Sequence, residues 1–152
     1  MKQGDLAPDF TLPAQTGRPL RLSELVGKKP IVLYFYPKDY TPGCTIEARE
    51  FRDHYDDFAA EGAEVVGISG DSVASHRRFA ASLDLPFTLL SDADGAVRKL
   101  YGVEKTLGLI PGRVTYVIDK GGVVQQVISS QLKPKRHVRE SLDRLRQPVG
   151  DR

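Results

Sequence analysis

The sequence predicts an α/β fold built on a mixed central sheet, and three observations predict it. Two short runs rich in β-branched and aromatic residues, Ile31–Tyr36 and Glu64–Ser69, are separated by a segment of helical period. Such runs can pair in parallel through a crossover. Two later runs, Val114–Asp119 and Val123–Ile128, flank Lys120-Gly-Gly122 and read as an antiparallel hairpin. Helical patterns fill most of what lies between and after them, which places the chain in the α/β class. At 152 residues, 40% hydrophobic and 28% charged, it suits a single domain over residues 1–152 with an adequate core.

Taken in order, Phe10–Pro13 and Leu20–Leu22 flank Gln15-Thr-Gly-Arg-Pro19 and predict a small N-terminal hairpin. Ser23–Gly27 suits one helical turn. The strand Ile31–Tyr36 is stopped by Pro37. A helix is expected from Pro42 to about Ala60, because Thr41 is a good N-cap and proline is favoured at the first helical position. Cys44, Ala48, Phe51, Tyr55 and Phe58 then recur on one face, and Gly62 is a stop. After the second strand, a helix starts at Asp71 or Ser72 and runs to about Leu83. Phe87–Leu90 is a short strand, Ser91–Gly95 a turn, and Asp94–Tyr101 a further helix. Pro134 opens a last helix with Val138, Leu142 and Leu145 on one face, and Pro148–Arg152 reads as a frayed tail.

The stretch with chemical content is Tyr34-Phe-Tyr-Pro-Lys-Asp-Tyr-Thr-Pro-Gly-Cys-Thr-Ile-Glu47, which holds the only cysteine of the chain. With Thr41 as cap, Cys44 lies in the first helical turn, among backbone N–H groups that have no intrahelical partner. The field there favours an anion by up to about 2 kcal/mol in a partly buried site, and the thiolate is the nucleophilic form of cysteine. Each residue also has an ordinary reading. A lone cysteine on an apolar helix face is usually inert core, Arg113 alone would be a solvated charge at a strand edge, and Glu47 an exposed acid near a helix start. The joint spacing of a proline, three residues, a threonine, two residues and a cysteine at a strand-to-helix turn outweighs the ordinary reading of Cys44, and it says nothing about Arg113 or Glu47.

That spacing, Pro37-x-x-x-Thr41-x-x-Cys44, resembles the active-site motif of the peroxiredoxins, and the surrounding words resemble their PrxQ branch. The opening Gly4-Asp-Leu-Ala-Pro-Asp-Phe-Thr-Leu12 supports the likeness independently. The resemblance implies a thioredoxin-like fold with an N-terminal extension. It implies a peroxidase without a cofactor, in which the Cys44 thiolate attacks hydrogen peroxide or an alkyl hydroperoxide and becomes a sulfenic acid. By the same likeness Thr41 orients sulfur and peroxide, and Pro37 shields them. Arg113, in Gly112-Arg-Val-Thr-Tyr-Val-Ile-Asp119, supplies positive charge, and Glu47 braces the arginine. Leu107, Leu109 and Ile110, in the loop before Arg113, are expected to form an apolar rim favouring alkyl peroxides.

Two positions depart from the pattern. Many PrxQ-type proteins carry a resolving cysteine at the places held here by Arg49 or Ala80. With neither, Cys44 has no intrachain partner. Either the chain is naturally a one-cysteine enzyme recycled by thioredoxin, glutaredoxin or a small thiol, or Ala80 stands in for a cysteine. Rival readings are a thiol–disulfide oxidoreductase, disfavoured because Thr41 occupies the first position of a Cys-x-x-Cys pair, and a stoichiometric redox sensor.

A formal charge of +2 argues for neither nucleic acid nor membrane as partner. A reducing cytoplasm is the expected compartment, and the PrxQ resemblance implies a monomer. His54, His76 and His137 are far apart in sequence, so no metal site is expected. Asp92-Ala-Asp-Gly95 only echoes a calcium loop, and no phosphate-binding glycine motif appears.

Overall fold

The computed structural model describes residues 1–103, 112–130 and 132–147. Its sheet has five strands: β3 (Ile31–Phe35), β4 (Glu64–Ser69), β5 (Thr88–Ser91), β6 (Val114–Ile118) and β7 (Val124–Ser129), in the order β5-β4-β3-β6-β7. The β3–β4 and β4–β5 pairs are parallel, and β6 and β7 are antiparallel additions, so the sheet is mixed as the sequence predicts. A two-stranded hairpin, β1 (Thr11–Leu12) with β2 (Leu20–Arg21), lies outside it, followed by a 3-10 turn at Leu22–Glu24. The helices are α1 (Pro42–Asp53), α2 (Tyr55–Ala60), α3 (Val73–Leu83), α4 (Ala96–Leu100) and α5 (Pro134–Arg146).

Because side chains alternate across a strand, β3 feeds two cores. Ile31, Leu33 and Phe35 face the hairpin and α4, packing with Phe10, Val97, Tyr101 and Tyr116. Val32, Tyr34 and Tyr36 face α1, α2, α3 and α5, packing with Phe51, Phe58, Phe79 and Val138. Cys44 and Ala80 both belong to this second core. Tyr34 stacks on Phe51 at 4.5 Å, and its ring leaves no room for a side chain at Gly67, its partner across β4.

The structure differs from the sequence expectation at several boundaries. The helix expected to reach Ala60 breaks at His54, which takes φ −103°, ψ 10° and pairs its ring with Asp57. Asp56 and Asp57 lie in the first turn of the helix that restarts there, a placement the macrodipole favours. The helix expected from Asp94 begins at Ala96, because the Asp92 carboxylate accepts from Val97 N at 3.1 Å and Arg98 N at 2.9 Å. The Asp92 carboxylate of the calcium-like motif is thus engaged as a cap. Gly62 stops α2 as expected, with φ +72°. The tail expected to fray lies outside the described residues.

Candidate functional site

The register of the sheet places the site. Phe35 pairs with Val114, so the chain leaving β3 through Tyr36 and Pro37 runs beside the chain entering β6 through Arg113. Arg113 and Thr115 alternate with Val114 and so point to the face covered by α1 and α5. Between β3 and α1 the backbone reverses sharply. Tyr40 sits at φ +67°, an uncommon conformation for a residue with a side chain. Its ring packs edge-on against Phe79 of α3 at 5.0 Å.

Thr41 is the N-cap residue, but its side chain does not cap α1 as the sequence suggested. The hydroxyl instead donates to Lys38 O at 2.9 Å, which holds the turn and leaves its lone pairs unspent. Pro42 opens the helix, and Cys44 follows in the first turn, buried at 1% exposure. Arg113 Nη2 donates to Cys44 Sγ at 3.3 Å, and Arg113 Nη1 donates to Glu47 Oε1 at 2.6 Å. Cys44 and Glu47, three residues apart, share a helix face, so one guanidinium reaches both. Glu47 is not the exposed acid of the ordinary reading: it is fully buried. Burial pushes its carboxyl up to about 8, against the pull of the Arg113 charge. Arg113 itself is held above its usual range by Glu47 and Cys44, against the effect of burial.

Three supporting residues escaped the sequence reading. Gly43 lies under the arginine: a Cβ there would stand 2.9 Å from Arg113 Nη2. The signal was a glycine inside a helical first turn, where its propensity is poor. Arg98 of α4 donates to Tyr36 O and to Gly112 O, each at 2.9 Å, and lies 5.7 Å over the Phe35 ring. It ties together the backbones that lead into Pro37 and Arg113. His137 of α5, set aside in the sequence, is fully buried with Nδ1 3.7 Å from Glu47 Oε2. No local pattern marks these last two, because both act across long sequence separations.

A surface cleft of ≈ 400 Å³ opens here, lined by Pro37, Thr41, Gly43 and Arg113 together with Ile46, Leu132 and Pro134. Ile46 is 39% and Leu132 88% exposed, unusual for large apolar side chains. The rim expected at Leu107, Leu109 and Ile110 lies outside the described residues. Arg49 is exposed on α1, and Ala80 lies buried on α3.

The histidine reading also needs one correction. The fold brings ligand atoms of Asp39, Asp71 and His76 within 4.8 Å of one another, which sequence distance had hidden. Those atoms are already engaged. Asp39 accepts from Tyr36 Oη at 2.6 Å and from Ser75 Oγ at 2.9 Å, and lies 2.7 Å from His76 Nδ1. Asp71 accepts from Ser69 Oγ at 2.6 Å and from Asp39 N at 2.8 Å. The group therefore locks the turn before Thr41 onto β4 and α3.

The model of the AhpC/TSA family matches residues 3–127. The chain is 56% identical over 141 residues to the chloroplastic peroxiredoxin Q of Sedum lineare, covering 92% of this chain and 75% of that protein. It is 53% identical over 143 residues to the chloroplastic peroxiredoxin Q of Arabidopsis thaliana, covering 93% of this chain and 66% of that one. Among solved structures, peroxidoxin BcpB of Mycobacterium tuberculosis superposes with TM-score 0.89 at 46% identity, over 96% of this chain and 97% of that one. A serine variant of Xanthomonas campestris peroxiredoxin Q gives TM-score 0.83 at 33% identity, over 90% and 89%. Two cysteines of that protein have been replaced by serine in separate structures, and their interval in its chain equals that between Cys44 and Ala80. The expectation of a cytoplasmic location is overturned: these plant relatives are named chloroplastic. One unpaired cysteine argues only for a reducing compartment and does not separate the two.

Proposed function

The chain belongs to the AhpC/TSA family, in its peroxiredoxin Q branch, and on that premise we propose that it is a thiol-dependent peroxidase with Cys44 as nucleophile. The observation that carries the reading is the buried Arg113 guanidinium, 3.3 Å from the buried Cys44 Sγ at the base of the cleft. A charge-assisted hydrogen bond there stabilises a thiolate. As sulfur attacks the terminal peroxide oxygen, negative charge moves from sulfur to the leaving oxygen, and donors already in place stabilise it without reorganising. Arg113 presents a second face of its fork to that oxygen. The lone pairs of Thr41 Oγ1 accept the peroxide O–H, which orders the O–O bond along the line of attack. Pro37, with no N–H, covers the sulfur with an apolar ring. Glu47 holds the guanidinium in register.

The apolar lining from Ile46, Leu132 and Pro134 suits the organic part of an alkyl hydroperoxide. With Arg49 and Ala80 at the positions where relatives resolve the sulfenic acid, recycling falls to an external thiol: thioredoxin, glutaredoxin or a small thiol. Peroxide consumption with excess dithiothreitol tests the reading, with intact mass recorded after one equivalent of peroxide. Many turnovers and a gain of one oxygen on Cys44 are expected. Consumption that stops after one or two equivalents would make the protein a stoichiometric sensor instead. Substituting Ile46 or Leu132 by serine should lower kcat/KM for cumene hydroperoxide more than for hydrogen peroxide. An unchanged ratio would remove the apolar wall from the account.

A further inference from the structure

Glu47 Oε2 is a buried oxygen with no hydrogen-bond partner among the described residues. The arrangement around it determines what it can be. His137 Nε2 lies 2.9 Å from Ser130 O, and a carbonyl only accepts, so the hydrogen of the neutral ring sits on Nε2. Nδ1 is then a lone pair, and it takes the Thr115 hydroxyl hydrogen at 2.7 Å. Glu47 Oε2 stands 3.7 Å from that same Nδ1, beyond hydrogen-bond length and with no donor aimed at it. An ionised Oε2 would be a buried charge with no donor among the described residues, facing a lone pair, which is costly. A proton on Oε2 removes both the charge and the repulsion from that lone pair.

We propose that Glu47 and His137 form a proton store for this site: Glu47 is a neutral carboxylic acid while Cys44 is reduced, and it ionises when Cys44 is oxidised. The inference rests on the peroxidase reading above. Charge balance drives it. With a thiolate, the guanidinium of Arg113 and a protonated Glu47, the buried cluster sums to zero. The reaction forms an S–O bond and breaks the O–O bond: Cys44–S⁻ and RO–OH become Cys44–S–OH and RO⁻. Sulfur is oxidised by two electrons and the peroxide is reduced by two. The sulfur has lost its charge, so neutrality is regained when Glu47 releases its proton. The leaving alkoxide takes up one proton, and the two counts cancel. The events are linked through the charge of Arg113, since Glu47 does not touch the peroxide.

The other groups around the pair agree. Arg113 and Arg136 oppose a charge on His137 and Glu140 favours it, but burial dominates and lowers the ring to about 4. The same burial lifts Glu47 to about 8, which agrees with a proton held on the carboxyl and not on the ring. The Tyr34 hydroxyl, from β3, is held neutral well above its usual range by burial.

Proton uptake from a weakly buffered indicator solution at pH 7, measured per sulfenic acid counted by mass, tests the store. The wild-type protein should take up close to zero protons per oxidised Cys44, and Glu47→Gln should take up one. The reduced-minus-oxidised infrared spectrum of the wild type should show a protonated carboxyl band in the reduced state only, a readout that does not depend on the variant folding. Uptake of one proton by the wild type, or no such band, overturns the store while leaving the peroxidase reading standing. Failure to form sulfenic acid at all overturns both.

Discussion

At the scale of single residues, the site depends on one guanidinium reaching Cys44 Sγ and Glu47 Oε1 at once, and Gly43 is what lets it. A Cβ at residue 43 would meet Arg113 Nη2 at 2.9 Å. The guanidinium cannot keep both the Glu47 bond and the sulfur contact against that pressure. Gly43→Ala should therefore lower kcat/KM by about 10- to 100-fold, in line with losing a donor aimed at the reacting atoms. Stability should hold or rise, because alanine is favoured over glycine in a helix by about 1 kcal/mol. Kinetics beside urea unfolding checks this, and an active Gly43→Ala protein would mean that Arg113 does not need its present position. Arg113→Lys retains the charge and loses the planar fork. Its kcat/KM should fall by roughly 100-fold or more. Near-wild-type rates for the lysine variant would reduce the role of Arg113 to charge alone. Cys44, Thr41 and Pro37 could be singled out together in the sequence because a strand-to-helix turn imposes a local spacing, whereas Arg113, leading into a distant strand, was marked only by the family resemblance. The burial of Glu47 was not legible, because it is set by α5, almost ninety residues further on.

Elements carry the next level of precision. Pro37 and Arg113 sit on different strands, and the Phe35–Val114 pair only brings their backbones near each other. Arg98 completes the alignment by donating to Tyr36 O and Gly112 O, while its guanidinium lies over the Phe35 ring. Removing it leaves two carbonyls short of their charged donor, each such bond being worth about 1.5–3 kcal/mol. Arg98→Met, which keeps most of the aliphatic bulk, should cost about 2–4 kcal/mol in urea unfolding. Peroxidase activity should fall as well, although Arg98 touches neither Cys44 nor the cleft lining in the contacts described. A variant with lowered stability but unaltered kinetics would make Arg98 a packing residue only. The type and order of these elements could be read from period and turn residues. Their ends could not, because α1 ends at His54 and α4 starts late through side-chain bonds of His54 and Asp92. The lock of Asp39, His76, Tyr36 and Ser75 was hidden for the same reason: it joins the active-site turn to a helix more than thirty residues away.

Across the whole molecule, two cores hold the sheet, and the site lies where the second core meets polar groups from β6, α1 and α5. The continuous apolar run of β3 announced a strand buried on both faces. It could not announce that α5 would bury a histidine against a carboxylate, since that follows from packing α5 over Thr115. This placement has a consequence for global stability. Glu47, raised from 4.5 to about 8, binds its proton more tightly in the folded state, so its contribution is fully present below pH 4.5 and is lost as pH rises through 8. His137, lowered from 6.5 to about 4, works the other way: its contribution is present above pH 6.5 and is lost as pH falls through 4. From pH 4.5 to 6.5 the two slopes oppose each other. From 6.5 to 8 only Glu47 remains, and there the unfolded chain binds fewer protons than the native one. Stability of the reduced protein should decline with pH in that interval, with a limiting slope of about 1.4 kcal/mol per pH unit. Glu47→Gln abolishes the titration and should flatten the decline. Urea unfolding at half-unit pH steps, run on both proteins under reducing conditions, measures the difference between the two slopes. Parallel curves from pH 6.5 to 8 would mean that Glu47 is ionised throughout, and that the Arg113 charge outweighs burial at this site.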